Sequence, residues 1–164
     1  MASVIDVQDK QLQKDLQFMR MAAVVAQRSK CSSRQIGVVL VQDGMVIAEG
    51  YNGAPRGSSL CQNGPGGACR RREMNFKSGE GLDQCPAVHA EMNALLNAAR
   101  MGAGTKGTTM YAYCCRPCKW CSSMMINAGV SRLVHLDLPV YDELSGLLLE
   151  ESGIEVVTVG EELI

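Results

Sequence analysis

Residues 108–136 read Thr-Thr-Met-Tyr-Ala-Tyr-Cys-Cys-Arg-Pro-Cys-Lys-Trp-Cys-Ser-Ser-Met-Met-Ile-Asn-Ala-Gly-Val-Ser-Arg-Leu-Val-His-Leu, and this stretch decides the fold. Its first six residues, 108–113, read as a strand. Pro117 suits the first position of a helix, since it lacks the N–H that a helix start leaves unpaired, and that predicts a helix to Gly129 with Cys121, Met124, Met125 and Ala128 inward. Residues 130–136 then form a second strand. A strand, a crossing helix and another strand of this length imply parallel pairing.

The pattern extends in both directions. Downstream, residues 141–152 read as a helix with Leu144, Leu147 and Leu148 inside, and residues 154–159 as a closing strand. Upstream, Pro86 is expected to open a helix with Met92, Leu95, Leu96 and Ala99 as its buried stripe, ending near Gly102. Before it, residues 36–41 and 45–51 flank Asp43-Gly44, a hairpin signal. An amphipathic helix over residues 9–29 carries Leu12, Leu16, Met19, Ala23 and Ala26. Residues 52–85, with glycines at 53, 57, 64, 66, 67, 79 and 81, read as a long loop, a feature that in compact domains is usually functional or tied down. The order α-β-β-α-β-α-β-α-β predicts a mixed five-stranded sheet with helices on both faces, a three-layer α/β/α sandwich in one domain over residues 1–164.

Composition narrows the class. Sixteen basic against seventeen acidic side chains give a net charge of −1, which provides no field to hold a polyanion, so nucleic-acid binding is not expected. No apolar run reaches the roughly 20 residues of a membrane span, and no basic-then-apolar leader opens the sequence. A cytoplasmic protein is expected. In that setting eight cysteines point to metal thiolates rather than disulfides, and with only His89 and His135 available a zinc site must rely on sulfur. His135, on an apolar strand, reads as a core histidine.

Two helix starts hold the unusual residues: His89-Ala90-Glu91 and Pro117-Cys118-Lys119-Trp120-Cys121. His89, Cys118 and Cys121 supply three ligands to a tetrahedral zinc and leave the fourth position to water, whose pKa zinc lowers toward about 7. Glu91, two residues past His89, falls beside the metal, where a carboxylate can move protons as a general acid-base. A lone buried histidine or a lone C-x-x-C is commonly structural. The ordered pair H-x-E and P-C-x-x-C is the signature of zinc nucleobase deaminases.

On these residues the sequence resembles the cytidine deaminase superfamily and, within it, the deoxycytidylate (dCMP) deaminase family, over roughly residues 12–159. Gly50-Tyr51-Asn52-Gly53-Ala54-Pro55-Arg56-Gly57 is similar to the family's GYNGxPxG loop, residues 89–100 to its HAExNAxxxAAR helix, and Ile126-Asn127-Ala128-Gly129-Val130 to its IxNAGI turn. The resemblance implies a cytidine-deaminase-like fold and a zinc-dependent hydrolase that converts dCMP to dUMP with release of ammonia, supplying thymidylate synthesis. It assigns proton transfer to Glu91, the base carbonyl to the Ala90 N–H and the deoxyribose to Asn52. For the 5′-phosphate, Arg34, Arg56, Arg100 and Tyr141 are candidates, with Arg100 and Tyr141 ranked first. It also implies a homohexamer activated by dCTP and inhibited by dTTP, with Mg2+ accompanying the triphosphate. Gly50, Tyr51, Asn52, Gly53, Pro55 and Arg56 make the candidate effector loop, against ordinary turn roles for its glycines. The approach 111–117 to P-C-x-x-C is one residue longer than the family's, which bears on the base pocket.

Cys31, Cys61, Cys69 and Cys85 lie in or beside the glycine-rich loop. They read either as a second, structural zinc site or as buried free thiols. Of the adjacent pair Cys114 and Cys115, one side chain only can face the core. Three other functions remain open to the sequence: a dCTP or bifunctional dCMP/dCTP deaminase, a noncatalytic zinc or nucleotide-binding protein on the same fold, and a nucleic-acid-editing deaminase. Glu91 argues against the second and the charge balance against the third.

Overall fold

The computed structural model describes residues 4–58, 61, 67–77 and 80–164, with side chains from residue 10 onward; the expected loop glycines Gly64, Gly66 and Gly79 lie outside the described residues. The helices are α1 (Val4–Ala26), α2 (Arg70–Glu73), α3 (Ala90–Met101), α4 (Lys119–Asn127) and α5 (Glu143–Ser152). The strands are β1 (Gly37–Gln42), β2 (Met45–Tyr51), β3 (Thr109–Tyr113), β4 (Arg132–Leu136) and β5 (Glu155–Val159). They form one mixed sheet in the order β2-β1-β3-β4-β5. β1 pairs antiparallel with β2 and β3, while β3, β4 and β5 run parallel, so the hairpin and the crossovers fall where the sequence predicts them. Asp43 and Gly44 both take positive φ, the twist a tight hairpin between right-twisted strands requires.

Side chains alternate across each strand, and that alternation builds two cores. Val38 and Leu40 of β1, Met110 and Ala112 of β3 and Leu133 of β4 point to the face covered by α3, α4 and α5, where they meet Ala94, Ala98, Met125 and Leu149. Val39, Val41, Tyr111, Val134 and Leu136 point to the other face and meet Met19, Ala22 and Val25 of α1. Two glycines set how closely the layers approach. A Cβ at Gly37 would stand 2.1 Å from the Ala22 carbonyl oxygen, and one at Gly50 would stand 2.3 Å from both the Ala90 oxygen and the Ala94 nitrogen. α1 and α3 therefore press backbone to backbone on opposite faces of the hairpin.

Several local expectations are corrected. Pro86 does not open α3. Residues 86–88 are extended, with Val88 bridging to Gly53 through bonds of 3.1 and 2.8 Å, and His89 is the N-cap. Pro117 likewise precedes its helix, and Cys118 is the N-cap of α4. α3 buries Ala90, Ala94 and Ala98 with Leu95, while Leu96 and Ala99 are exposed, because the glycine contact to β2 admits only small residues on that face. In α4, Met124 is at the surface and Ser122 is buried; in α5, Leu144 and Leu147 are exposed and Ser145 and Leu149 are buried. His135 is a satisfied core histidine, its Nδ1 2.9 Å from the Leu136 oxygen and its Nε2 3.4 Å from Thr158 Oγ1.

Candidate metal centre and substrate cavity

The three candidate metal-ligating side chains come from two helix starts on the same face of the sheet. His89 and Cys118 are both N-caps with extended backbone, and neither side chain caps its own helix. Both are therefore directed away from their helix ends, toward each other. Cys121 sits three residues past the Cys118 cap, a spacing that places N-cap and third-residue side chains together. The His89 Nδ1 lies 3.5 Å from Cys118 Sγ and 3.3 Å from Cys121 Sγ, and the three donor atoms lie within 4.8 Å of one another. Tetrahedral zinc with ordinary Zn–N and Zn–S bonds separates such donors by about 3.6 Å, so the trio fits a single ion. Among the described residues this is the group of three or more metal-ligating side chains that converges in this way.

The start of α4 is held by α5. Asp142, the N-cap of α5, accepts from the Ser145 N–H through one carboxylate oxygen and from the Lys119 N–H at 2.8 Å through the other, so one side chain caps two helices. The buried Ser145 hydroxyl donates to the Pro117 carbonyl and meets Ser122 Oγ at 3.2 Å. These contacts immobilise the Pro117–Cys118 turn that presents the sulfur. Sequence reasoning missed them, although Asp142 before an apolar helix is an N-cap signal.

Charge states follow from the contacts. The hydrogen bond from Cys121, helped by His89, draws the Cys118 thiol down to about 4, a thiolate at neutral pH, while Cys121, the donor, is pushed up. A bound metal would displace that remaining proton. The bond to Cys118 raises His89. Glu91 is only 4% exposed, and burial pushes its carboxyl up.

A cavity of about 300 Å3 opens over these residues, lined by Arg34, Asn52, His89, Glu91, Cys114, Arg116 and Tyr141 among others. Cys114 faces this cavity and Cys115 is buried, so the adjacent pair divides between site and core. Burial of Tyr141's hydroxyl environment pushes its phenol up. Arg100 is not brought here. It lies in the last turn of α3 and is exposed, about 16 Å along the helix from His89 at 1.5 Å per residue. Arg34, Arg71 and Arg116 line the cavity instead. Arg116 donates to the Asp142 carbonyl at 3.1 Å, and its buried Nε has no partner among the described residues.

Asn52 lines the cavity with its amide already engaged, Nδ2 donating to the Arg34 carbonyl and Oδ1 accepting from the Ile36 N–H, both at 2.9 Å. The rest of the 50–56 segment is tied to α3. Asn93 donates to the Tyr51 carbonyl at 2.8 Å, and Arg56 reaches Asn97 Oδ1 at 3.3 Å. Cys31, Cys69 and Cys85 surround Cys61 closely enough to act on its charge, but they are not drawn into a cluster of metal-ligand spacing.

An α/β sandwich whose two helix N-termini present one imidazole and two cysteine sulfurs, with a buried carboxyl beside them, has the donor set that suits a mononuclear zinc site. The chain belongs to the family described as cytidine and deoxycytidylate deaminase zinc-binding region, which matches residues 12–136. It is 38% identical over 142 residues to the deoxycytidylate deaminase of Schizosaccharomyces pombe, covering 87% of this chain and 42% of that protein. It is 37% identical over 126 residues to the deoxycytidylate deaminase of Mycobacterium phage D29, covering 74% of this chain and 92% of that protein. The chain spans less than half the length of the curated yeast relatives it matches. Among solved structures, the dCMP deaminase of cyanophage S-TIM5 in complex with dCMP and dUMP superposes with a TM-score of 0.70 at 25% identity, over 87% of this chain and 93% of that one. No helix among the described residues is long and apolar enough to cross a membrane.

Proposed function

We propose that this chain hydrolyses dCMP to dUMP, releasing ammonia, with zinc held by His89, Cys118 and Cys121. The observation that carries the reading is the placement of a buried Glu91 in the cavity that His89 lines, beside the three convergent donors His89, Cys118 and Cys121. Zinc would supply Lewis-acid activation of a water at neutral pH. Glu91 supplies the proton traffic: its carboxylate takes a proton from the attacking water and gives it to N3 of the pyrimidine, then takes the proton of the new C4 hydroxyl and gives it to the departing amine, and the burial that pushes its carboxyl up strengthens it as a proton acceptor. Ala90 is the first residue of α3, so its N–H has no partner within the helix and is available to the base carbonyl. The deaminases it resembles, one of them solved with dCMP and dUMP, support the substrate assignment.

For the 5′-phosphate, Arg34 with Tyr141 is the better assignment than Arg100, since both line the cavity. The ultraviolet change from cytosine to uracil tests the activity directly. Glu91→Gln should retain zinc and lose at least about 100-fold in kcat, the range of general acid-base effects; unchanged turnover would remove Glu91 from the mechanism. Arg34→Ala should raise KM for dCMP well above its effect on deoxycytidine. We also read Cys61 and the three thiols around it, Cys31, Cys69 and Cys85, as a second zinc site that forms when zinc draws them together; metal analysis giving one zinc per chain would reject it.

A further inference from the structure

Of the run Arg70-Arg71-Arg72, Arg71 alone lines the cavity described above, and the helix that carries the run, α2, buries none of its residues. Its arginines nonetheless frame a second cavity, of about 210 Å3, lined by Ser33, Arg34, Arg71, Arg72, Phe76 and Lys77 together with Cys69. Ser33, Arg34 and Arg71 line the substrate cavity as well, so the two cavities meet along these residues. Four of the seven lining side chains are cations and none is a carboxylate. Glu80 engages this wall through its carboxylate, which accepts from the Lys77 N–H at 3.0 Å.

The wall is ordered by its own hydrogen bonds. Arg71 donates from Nε to the Glu80 carbonyl at 2.6 Å and from a terminal nitrogen to the Lys77 carbonyl at 3.0 Å, which ties Lys77 and Glu80 to α2, and Lys77 lines the same cavity as Arg72. Like charges gathered around one concavity repel, and an anion in the concavity relieves that repulsion. A deoxyribose 5′-phosphate seated at the junction would stand between Arg34 and Arg71, and a phosphate chain continuing from it would enter the annex.

Resting on the deaminase reading, we propose that this annex receives the β- and γ-phosphates of a cytosine deoxynucleoside triphosphate, so that the active site accepts the triphosphate as a second substrate. The chemistry is the same for both nucleotides: water adds at C4, the C4–N bond breaks, the oxygen stays as the carbonyl and nitrogen leaves as ammonia. Arg34 and Arg71 hold the phosphate common to both. Arg72 and Lys77 line only the annex, so they act on the triphosphate alone.

The test uses the zinc-loaded chain with Mg2+, supplying dCMP and dCTP separately and resolving dUMP from dUTP by anion exchange. Wild type should form both products. The double substitution Arg72→Ala with Lys77→Ala should raise KM for dCTP by about tenfold or more, the scale of lost charge-assisted hydrogen bonds, and leave KM for dCMP within about twofold. Normal dUMP formation without dUTP, including any stimulation of dCMP turnover by unconverted dCTP, would overturn the annex proposal and leave the deaminase reading intact. So would a dCTP KM that the double substitution does not move, or KM values that rise together. If wild type with bound zinc forms neither product, the deaminase reading itself fails and the annex proposal with it.

Discussion

The side-chain amide of Asn52 donates to the carbonyl of Arg34 at 2.9 Å, and the same side chain accepts from the N–H of Ile36. One buried amide thus fixes the backbone on both sides of Gln35 and positions Arg34 at the cavity. Asn52→Ala leaves two backbone groups unpaired at about 1–3 kcal/mol each. Thermal melting should therefore fall by several degrees, and KM for dCMP should rise more than kcat drops. A residue that only contacted the sugar would change KM without moving the melting temperature.

Gly50 belongs to the segment expected to bind effectors, yet its hydrogen side chain is required by packing, since a Cβ there meets two backbone atoms of α3 at 2.3 Å. Gly50→Ala must displace the helix that carries His89 and Glu91. It should cost about 1–3 kcal/mol or more and lower zinc content and activity together. Gly53→Ala, with nothing within 4 Å of the added methyl, should be near neutral in melting temperature.

Asp15 and Arg132 form a two-pronged ion pair at 2.7 and 2.8 Å that joins α1 to β4, with side chains 3% and 14% exposed. Tyr111 also donates to Asp15 at 2.9 Å. Asp15→Ala strands the guanidinium and should cost about 3–5 kcal/mol by denaturant unfolding. Glu155→Gln, which removes the 64% exposed partner of the same arginine, should cost about 1 kcal/mol or less. Burial raises the Asp15 carboxyl, but the bonds from Arg132, Tyr111 and Gln11 outweigh it and hold the group below its ordinary 3.8. Its contribution is therefore complete above pH 3.8 and lost as pH falls through the lower folded value.

His135 titrates in a higher window. Burial holds its folded pKa below the ordinary 6.5, so the unfolded chain takes up a proton first and stability declines as pH falls from about 6.5. The difference in unfolding free energy between wild type and His135→Gln should change across pH 7 to about 5.5. A constant difference over that interval would show that His135 does not contribute this pH dependence.

The sequence by itself determined the order of the elements, the mixed sheet and the hairpin, and it singled out the three donors that the structure brings together, with the acid beside them. These are written in short-range signals: alternation, turn residues, helix punctuation, and metal donors at fixed spacing. It misplaced the helix starts by two to four residues because Pro86 and Pro117 satisfy a local rule that His89 and Cys118 override. Extended backbone at both ligands is what turns their side chains toward one point. Only the tertiary structure decided which face of α3 is buried, since that depends on Gly50 of a strand some forty residues earlier in the chain. It also decided which cations meet the substrate cavity. Arg34, Arg71 and Arg116 come from three separate segments that converge at the carboxyl ends of the strands and the helix starts, whereas Arg100 is carried to the far end of its helix. A charge's identity is local information; the cavity it faces is set by packing between distant parts of the chain.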